Sequence, residues 1–228
     1  MVDPHPGVPV PDADRAFPLS APVVGVGPWQ GPWPDGERYD PELLANGDRR
    51  NLVDRYRYWT NEAIQDDLAA RAHPLHVAIE NWEHDFNIGA IVRTANAFAV
   101  AGVHIVGRRR WNRRGAMVTD RYLAVTHHPD VDDLATWAKE AGLALIAIEN
   151  VPGALPLEAA ELPECCVLLF GQEGSGLSGP ALAAASAVYE ISQYGSTRSI
   201  NAGAAGAIAM YHWALQHAAG RPAGRPSD

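Results

Sequence analysis

The rhythm of polar and apolar positions changes near Pro74. Upstream, from Pro41 to His73, apolar residues recur at helical intervals only in places, which predicts one or two helices. Downstream, short apolar runs alternate with segments of helical period. Residues 75–81 (LHVAIEN), 103–107 (VHIVG) and 188–192 (VYEIS) read as strands. Residues 143–150 (LALIAIEN) and 165–171 (CCVLLFG) are unbroken apolar runs, the pattern of strands buried on both faces. Helices are predicted over 87–100, over 131–142 with Gly142 as the stop, behind Ser178 as an N-cap, and over 200–217. Strands alternating with helices predict an α/β fold, a mostly parallel sheet with flanking helices. In such sheets ligands gather at the carboxyl ends of the strands.

Composition adds boundaries. The first 41 residues hold ten of the 18 prolines, so residues 1–40 are expected to form an extended arm or tail. Residues 41–73 then form a helical extension, 74–217 the main domain and 218–228 a flexible tail. No apolar run reaches the ~18 residues of a membrane span. The N-terminus lacks the basic start and apolar stretch of a signal peptide, so no membrane partner and a cytoplasmic location are expected. Cys165 and Cys166 are neighbours and cannot staple distant elements; they are expected to be two small buried residues. His73 with His76, and His127 with His128, lack the cysteine or carboxylate company of a zinc site, so no metal is expected. The net charge of −9 argues against non-specific nucleic-acid binding. The charge is uneven, however. Arg108, Arg109, Arg110, Arg113 and Arg114 crowd around Trp111 in RRRWNRR, which can form a local basic face.

Three stretches can carry chemistry. In NIGAIVR, Asn87 stands at a helix start and Arg93 six residues on, so Asn87 must act from the loop side. In LLFGQEGSGLS, a buried strand runs into a turn with three glycines, with Glu173 at its tip. Gly171 and Gly176 have P-loop spacing, but Leu177 stands where that motif needs lysine, so a ligand less negative than a triphosphate is expected. In ISQYGSTRSINAGAAGAIAMYHW, a polar turn with Ser199 and Asn201 leads into a helix opened by small residues, Ala202 to Ala207, which permit close approach to another backbone. Each stretch also has a plain structural reading: Asn87 as a cap, the glycine stretch as a tight turn, and Ser199 as the cap of a helix whose small residues fill a tight core.

Taken in order, the three stretches resemble the SpoU (TrmH-like) branch of the SPOUT RNA methyltransferases. Asn87, Gly89 and Arg93 meet the motif Asn-x-Gly-x-x-x-Arg. Gly171, Glu173, Gly176 and Leu177 meet Gly-x-Glu-x-x-Gly-Leu, and Gly195, Ser199, Ile200 and Asn201 meet Gly-x-x-x-Ser-Leu-Asn with isoleucine for leucine. The resemblance covers about residues 75–217. It implies a C-terminal trefoil knot (the SPOUT α/β knot), a homodimer with sites near its interface, and S-adenosylmethionine bound in the knot loops. It implies methyl transfer to a ribose 2′-hydroxyl of RNA, tRNA before rRNA. Arg93, Asn87, Glu173, Ser199 and Asn201 would then serve catalysis. Gly171, Gly176, Ile191, Gly195 and Ile200 would hold the cofactor, and Arg108, Arg109, Arg110, Trp111, Arg113 and Arg114 would grip RNA. The sequence departs from the family pattern at Gln172, at Ser192 and Gln193, and at Gly203. The alternatives are a base-nitrogen methyltransferase, a noncatalytic RNA-binding protein of the same fold, and a small-molecule methyltransferase.

Overall fold

A computed structural model of the chain describes residues 25–81, 87–172 and 174–218. The chain divides into two compact units, Met1–Trp59 and Thr60–Asp228. In the first, helix α1 (Pro41–Asn46) starts where Asp40 Oδ1 accepts the N–H groups of Glu42 and Leu43 at 2.8 and 3.3 Å, with proline at the first turn. It stops at Gly47, whose φ of +90° suits glycine. Val26 pairs with Asp48 and Tyr39 with Trp59. Asp48 is buried and accepts from Arg50 Nε at 2.9 Å and from the Tyr58 N–H at 3.0 Å. Burial pushes its carboxyl up, but the donors of Arg50 and Tyr58 outweigh burial and hold it below the usual carboxylate range.

The second unit opens with α2 (Asn61–Arg71), capped by Thr60 Oγ1, and then builds one seven-stranded sheet. Its strands are β1 (His73–Asn81), β2 (Val100–Gly107), β3 (Val125–His128), β4 (Ala144–Ile148), β5 (Leu155–Pro156), β6 (Cys166–Phe170) and β7 (Ala187–Glu190). Their spatial order is β3-β2-β1-β6-β4-β7-β5, and every pairing is parallel. The helices α3 (Asn87–Ala97), α4 (Val131–Glu140), α5 (Gly179–Ala184) and α6 (Ala202–His217) complete it. The mostly parallel α/β sheet expected from the pattern is present. β4 and β6, the two unbroken apolar runs, lie side by side in the middle. β1 and β2 begin earlier than the pattern predicts, and α3 ends at Ala97 because Val100 already starts β2. β3 and β5 are absent from the sequence reading. β3 reads VTHH, too polar to stand out, and β5 has only two residues. Among the described residues no helix is long and apolar enough to cross a membrane.

Alternation along the strands sends side chains to two cores. Leu75, Val77, Ile79, Ile105, Leu168 and Phe170 face α3 and α6, where Ile91, Met210 and Trp213 are buried with them. Ala78, Val106, Ala147, Val167 and Leu169 face α4 and α5. That second face also carries a row of imidazoles. His76 Nδ1 lies 3.0 Å from His104 Nε2, His104 Nδ1 lies 2.8 Å from His128 Nε2, and His128 Nδ1 lies 2.7 Å from Asp133 Oδ2. Trp137 of α4 covers the row, 4.1 Å centroid to centroid from His104. His128 therefore has the carboxylate company its immediate neighbours in sequence did not offer. Burial, with His76 and His128 adding to it, lowers His104 from 6.5 to about 3. One of the two cysteines also differs from expectation. Cys166 is buried and its thiol is pushed up to about 12, chiefly by burial, whereas Cys165, one residue before β6 begins, is exposed.

Candidate active site

The carboxyl ends of β1, β4, β6 and β7 bring the motif loops together. After β6 the chain turns at Gly171, where an added Cβ would run into the backbone of Gly176 and Leu177. Only glycine lets this loop fold back on itself, closed by the Gly176 N–H to Gln172 O bond at 3.1 Å and by Gln172 Nε2 to Ser175 Oγ at 2.9 Å. Gly176 has φ +67°, and a Cβ there would sit 2.5 Å from Glu149 Oε2. Two carboxylates from strand ends then fix the loop exit. Glu149, just past β4, accepts the Leu177 N–H at 2.7 Å. Glu80, fully buried near the end of β1, accepts the Ser178 N–H and Oγ–H, each at 2.7 Å. Ser178 in turn caps α5, as its position in the sequence predicts.

The segment after β7 meets this loop. Ser199 and Ile200 join Gly171, Gly174, Gly176, Phe170 and Glu149 around a cavity of about 130 Å³. An adjoining cavity of about 70 Å³ is lined by Ile191, Gln193, Ser199, Ile200, Glu149 and Asn150. Gln193 Oε1 is buried with no hydrogen-bond partner among the described residues. Asn150 Nδ2 donates to Arg198 O at 3.0 Å and ties the segment to the end of β4. A larger cavity of about 250 Å³, among Gln65, Ala72, Asn96, Val100 and Ala124, lies near the amino ends of β2 and β3 and contains no motif residue.

The first motif is joined through an amide pair. Asn201 Nδ2 donates to Asn87 Oδ1 at 2.7 Å, and Asn201 Oδ1 accepts the Ala204 N–H at 3.2 Å. Asn201, not Ser199, is therefore the N-cap of α6. The small residues of α6 serve the α3 seam. A Cβ on Gly203 would lie 3.2 Å from Ala90 Cβ, and one on Gly206 would lie 3.1 Å from Ile91 Cγ1. Arg93 is exposed and makes no hydrogen bond or ion pair among the described residues.

The arginine loop follows β2. Asn81 Nδ2 holds its start by donating to Arg108 O at 2.6 Å and Arg110 O at 2.9 Å. Further on, the loop packs on α3 glycine against glycine, since a Cβ on Gly89 would lie 2.7 Å from the Ala116 nitrogen. Arg108, Arg109, Arg110, Arg113 and Arg114 are exposed. Trp111 is half-buried, packs on the core and carries Arg113 over its ring at 5.5 Å; Arg113 also lies 3.4 Å from Asp120. Its ring is thus already engaged, by the core and by Arg113. Gly195 is on the exposed loop and lines neither cavity, and Glu173 lies outside the described residues. Sequence reasoning missed Glu80, Glu149 and Asn150. Their only sequence signal was an acidic or amide residue closing an apolar run, in VAIEN and IAIEN.

A parallel sheet with two adjoining cavities at its carboxyl edge defines an α/β protein of the kind that places ligands outside its strand ends. The family described as SpoU rRNA Methylase matches residues 74–211, and the chain belongs to this family. It is 29% identical over 151 residues to the tRNA (guanosine(18)-2′-O)-methyltransferase of Escherichia coli strain K12, an alignment covering 65% of this chain and 66% of the relative, just under two thirds of the relative's length. Among solved structures it is similar to a TrmH/SpoU tRNA modifying enzyme of A. aeolicus, with TM-score 0.61 and 21% identity over 68% of this chain and 81% of that one. It is also similar to the SpoU methyltransferase AviRb of Streptomyces viridochromogenes, a structure in complex with AdoMet. There the TM-score is 0.57 and identity 23%, over 64% of this chain and 58% of that one.

Proposed function

We propose that this chain is an S-adenosylmethionine-dependent RNA methyltransferase acting on a ribose 2′-hydroxyl, with tRNA as its substrate class. One observation carries the reading: the second and third motifs share a cavity, and the first joins them through the Asn87–Asn201 pair. The family match and the activity named for the E. coli relative support the same reaction.

The cavities suit the cofactor. The larger is bordered by Gly171, Gly174 and Gly176, and both are closed by the apolar Ile148, Ile200 and Ala205. Among the described residues the charged side chain lining both is an acid, Glu149, which tolerates a cationic sulfonium and would repel a triphosphate. The buried Oε1 of Gln193 is an acceptor waiting for a donor, so this departure from the family pattern is compatible with binding. Backbone at Gly171, Ile191 and Ile200 would cradle the adenosine. When bound, the cofactor supplies an electrophilic methyl with a neutral thioether leaving group. A ribose oxygen would accept that methyl as sulfur takes the carbon–sulfur bonding pair, and the hydroxyl proton would pass to water. The chain's task is mainly alignment. Arg93 keeps its own proton and holds the hydroxyl or its phosphate by donation. Asn87, Ser199 and Asn201 fix the loops on which that alignment depends, and Glu173, which the motif places between Gly171 and Gly176 in sequence, would orient the loop or the ligand. The arginine loop grips RNA phosphates through Arg108, Arg109, Arg110, Arg113 and Arg114, with Trp111 bracing it.

Two further features belong to this reading. The C-terminal segment would thread a knot; the order of β1, β6, β4 and β7, with α6 packed on α3, is compatible with that path, because residues 191–201 return from β7 toward α3. The working unit is a homodimer in the cytoplasm, for which the exposed Ile208, Tyr211 and Leu215 of α6 offer an apolar face.

Tritium from labelled cofactor is expected to enter bulk tRNA and to appear, after nuclease digestion, in a 2′-O-methylated nucleoside. Arg93→Ala should lose about 10²–10⁴-fold in transfer while keeping its fold and its affinity for S-adenosylhomocysteine. Label in a base would redirect the reading to a base methyltransferase. No transfer into tRNA or rRNA by folded, cofactor-binding protein would make it a binder.

A further inference from the structure

Two consecutive residues at the end of β4 hold both halves of the cofactor cradle. Glu149 accepts the Leu177 N–H at 2.7 Å through Oε2 and the Asn150 N–H at 3.1 Å through Oε1. Asn150 donates its side-chain amide to Arg198 O at 3.0 Å. The Glu149 N–H itself is anchored to Tyr189 O at 2.9 Å, so the base of this strut is fixed in the sheet between β4 and β7. One arm therefore reaches the glycine loop and the other reaches the segment carrying Ser199 and Ile200. Glu149 lines both cavities, and Asn150 lines the smaller.

We propose that Glu149 and Asn150 are positioning residues that hold the 171–178 loop and the 192–201 segment at the separation the cofactor requires. This rests on the cofactor reading above. Three observations favour it. Neither loop belongs to a strand, so backbone ladders do not set their separation. The Leu177 N–H lies beside the left-handed Gly176, and the Glu149 carboxylate occupies the space that a Cβ there would need. A charged acceptor bonds an N–H more strongly than a neutral one, so this arm holds a glycine-rich turn that would otherwise sample many conformations. Released loops close the cavity or open it. Either way the ligand must reorder them, and affinity falls while the chemical step, once the ligand is bound, is unchanged.

The test uses the full chain. Glu149→Ala and Asn150→Ala should each weaken S-adenosylhomocysteine binding in calorimetry, by about tenfold and about threefold. The KM for the methyl donor should rise by the same factors with kcat nearly unchanged, and thermal midpoints should shift by no more than about 3 °C. Glu149→Gln retains an acceptor for the Leu177 N–H and should recover most of the affinity. Hydrogen exchange on ligand-free protein should show the Leu177 amide protected in wild type and in Glu149→Gln but not in Glu149→Ala. Unchanged affinity and protection in Glu149→Ala, or losses that only track the thermal midpoint, would overturn the proposal. If Glu149→Ala does not fold, Asn150→Ala and Glu149→Gln carry the same comparison. Wild-type protein that binds no S-adenosylhomocysteine yet shows the exchange pattern would sink the cofactor reading and leave the strut standing.

Discussion

The glycine loop at 171–178 and the arginine loop at 108–116 leave the same edge of one sheet, yet they are built in opposite ways. The glycine loop spends its polar groups inward. Its exit amides are taken by Glu149 and Glu80, and three of its residues are glycine. The arginine loop is fixed by its backbone, at Asn81 and at the Gly89–Gly115 contact, and leaves five guanidinium groups exposed. A small ligand is recognised by backbone that cannot move. On the proposed reading, a long polyanion would be gripped by exposed charges that can adjust to its phosphates.

The contrast can be broken one side at a time. Gly171→Ala forces a Cβ into the backbone of Gly176 and Leu177. It should abolish S-adenosylhomocysteine binding and cost about 1–3 kcal/mol in denaturant melts, with RNA affinity kept. Changing Arg109, Arg110 and Arg113 together to Glu should do the reverse. RNA affinity at low salt should fall about 10²-fold, with a shallower salt dependence, while cofactor binding stays intact. A third measurement tests the sheet that carries both loops. His104 has a folded value of about 3 against 6.5. Above 6.5 it is neutral in folded and unfolded chains alike and stability is whole. As the pH falls below 6.5 the unfolded chain takes up a proton that the folded chain refuses, so stability declines down to about 3. At pH 5 the loss from this group is about 2 kcal/mol, measurable as a drop in urea midpoint, and His104→Leu should flatten that slope. His76, also lowered by burial, adds in the same direction. The smallest effect belongs to Gly206→Ala. There the added Cβ meets the Ile91 side chain, which can shift, and helix propensity improves by about 1 kcal/mol. The thermal midpoint should move by only about 3 °C, and both ligands should still bind.

Much of the scaffold was legible because the parallel strands that matter most are buried on both faces and leave unbroken apolar runs, as β4 and β6 do. Ser178 was legible as a cap because capping is a local event. The motif residues could be placed in order along the chain, and their meeting follows from parallel strands that all end on one edge. What was hidden depends on partners distant in sequence. Glu149 and Glu80 look like ordinary acids until their acceptors are matched to amides 28 and 98 residues away. The cap of α6 was misplaced by two residues because Ser199 and Asn201 are both good capping types and only geometry chooses between them. Three histidines on three strands have no signature along the chain, since only strand register lines them up.

That register gives the imidazole row a direction. Where Asp133 is charged it can only accept, so His128 must carry its hydrogen on Nδ1, which leaves Nε2 to accept from His104 and repeats the choice at His76. One surface carboxylate thus dictates the tautomer of three rings across three neighbouring strands. An amide in its place, able to donate instead, would let the whole row turn over like a line of dominoes, exchanging which nitrogen of each ring holds hydrogen without moving a single heavy atom in the sheet.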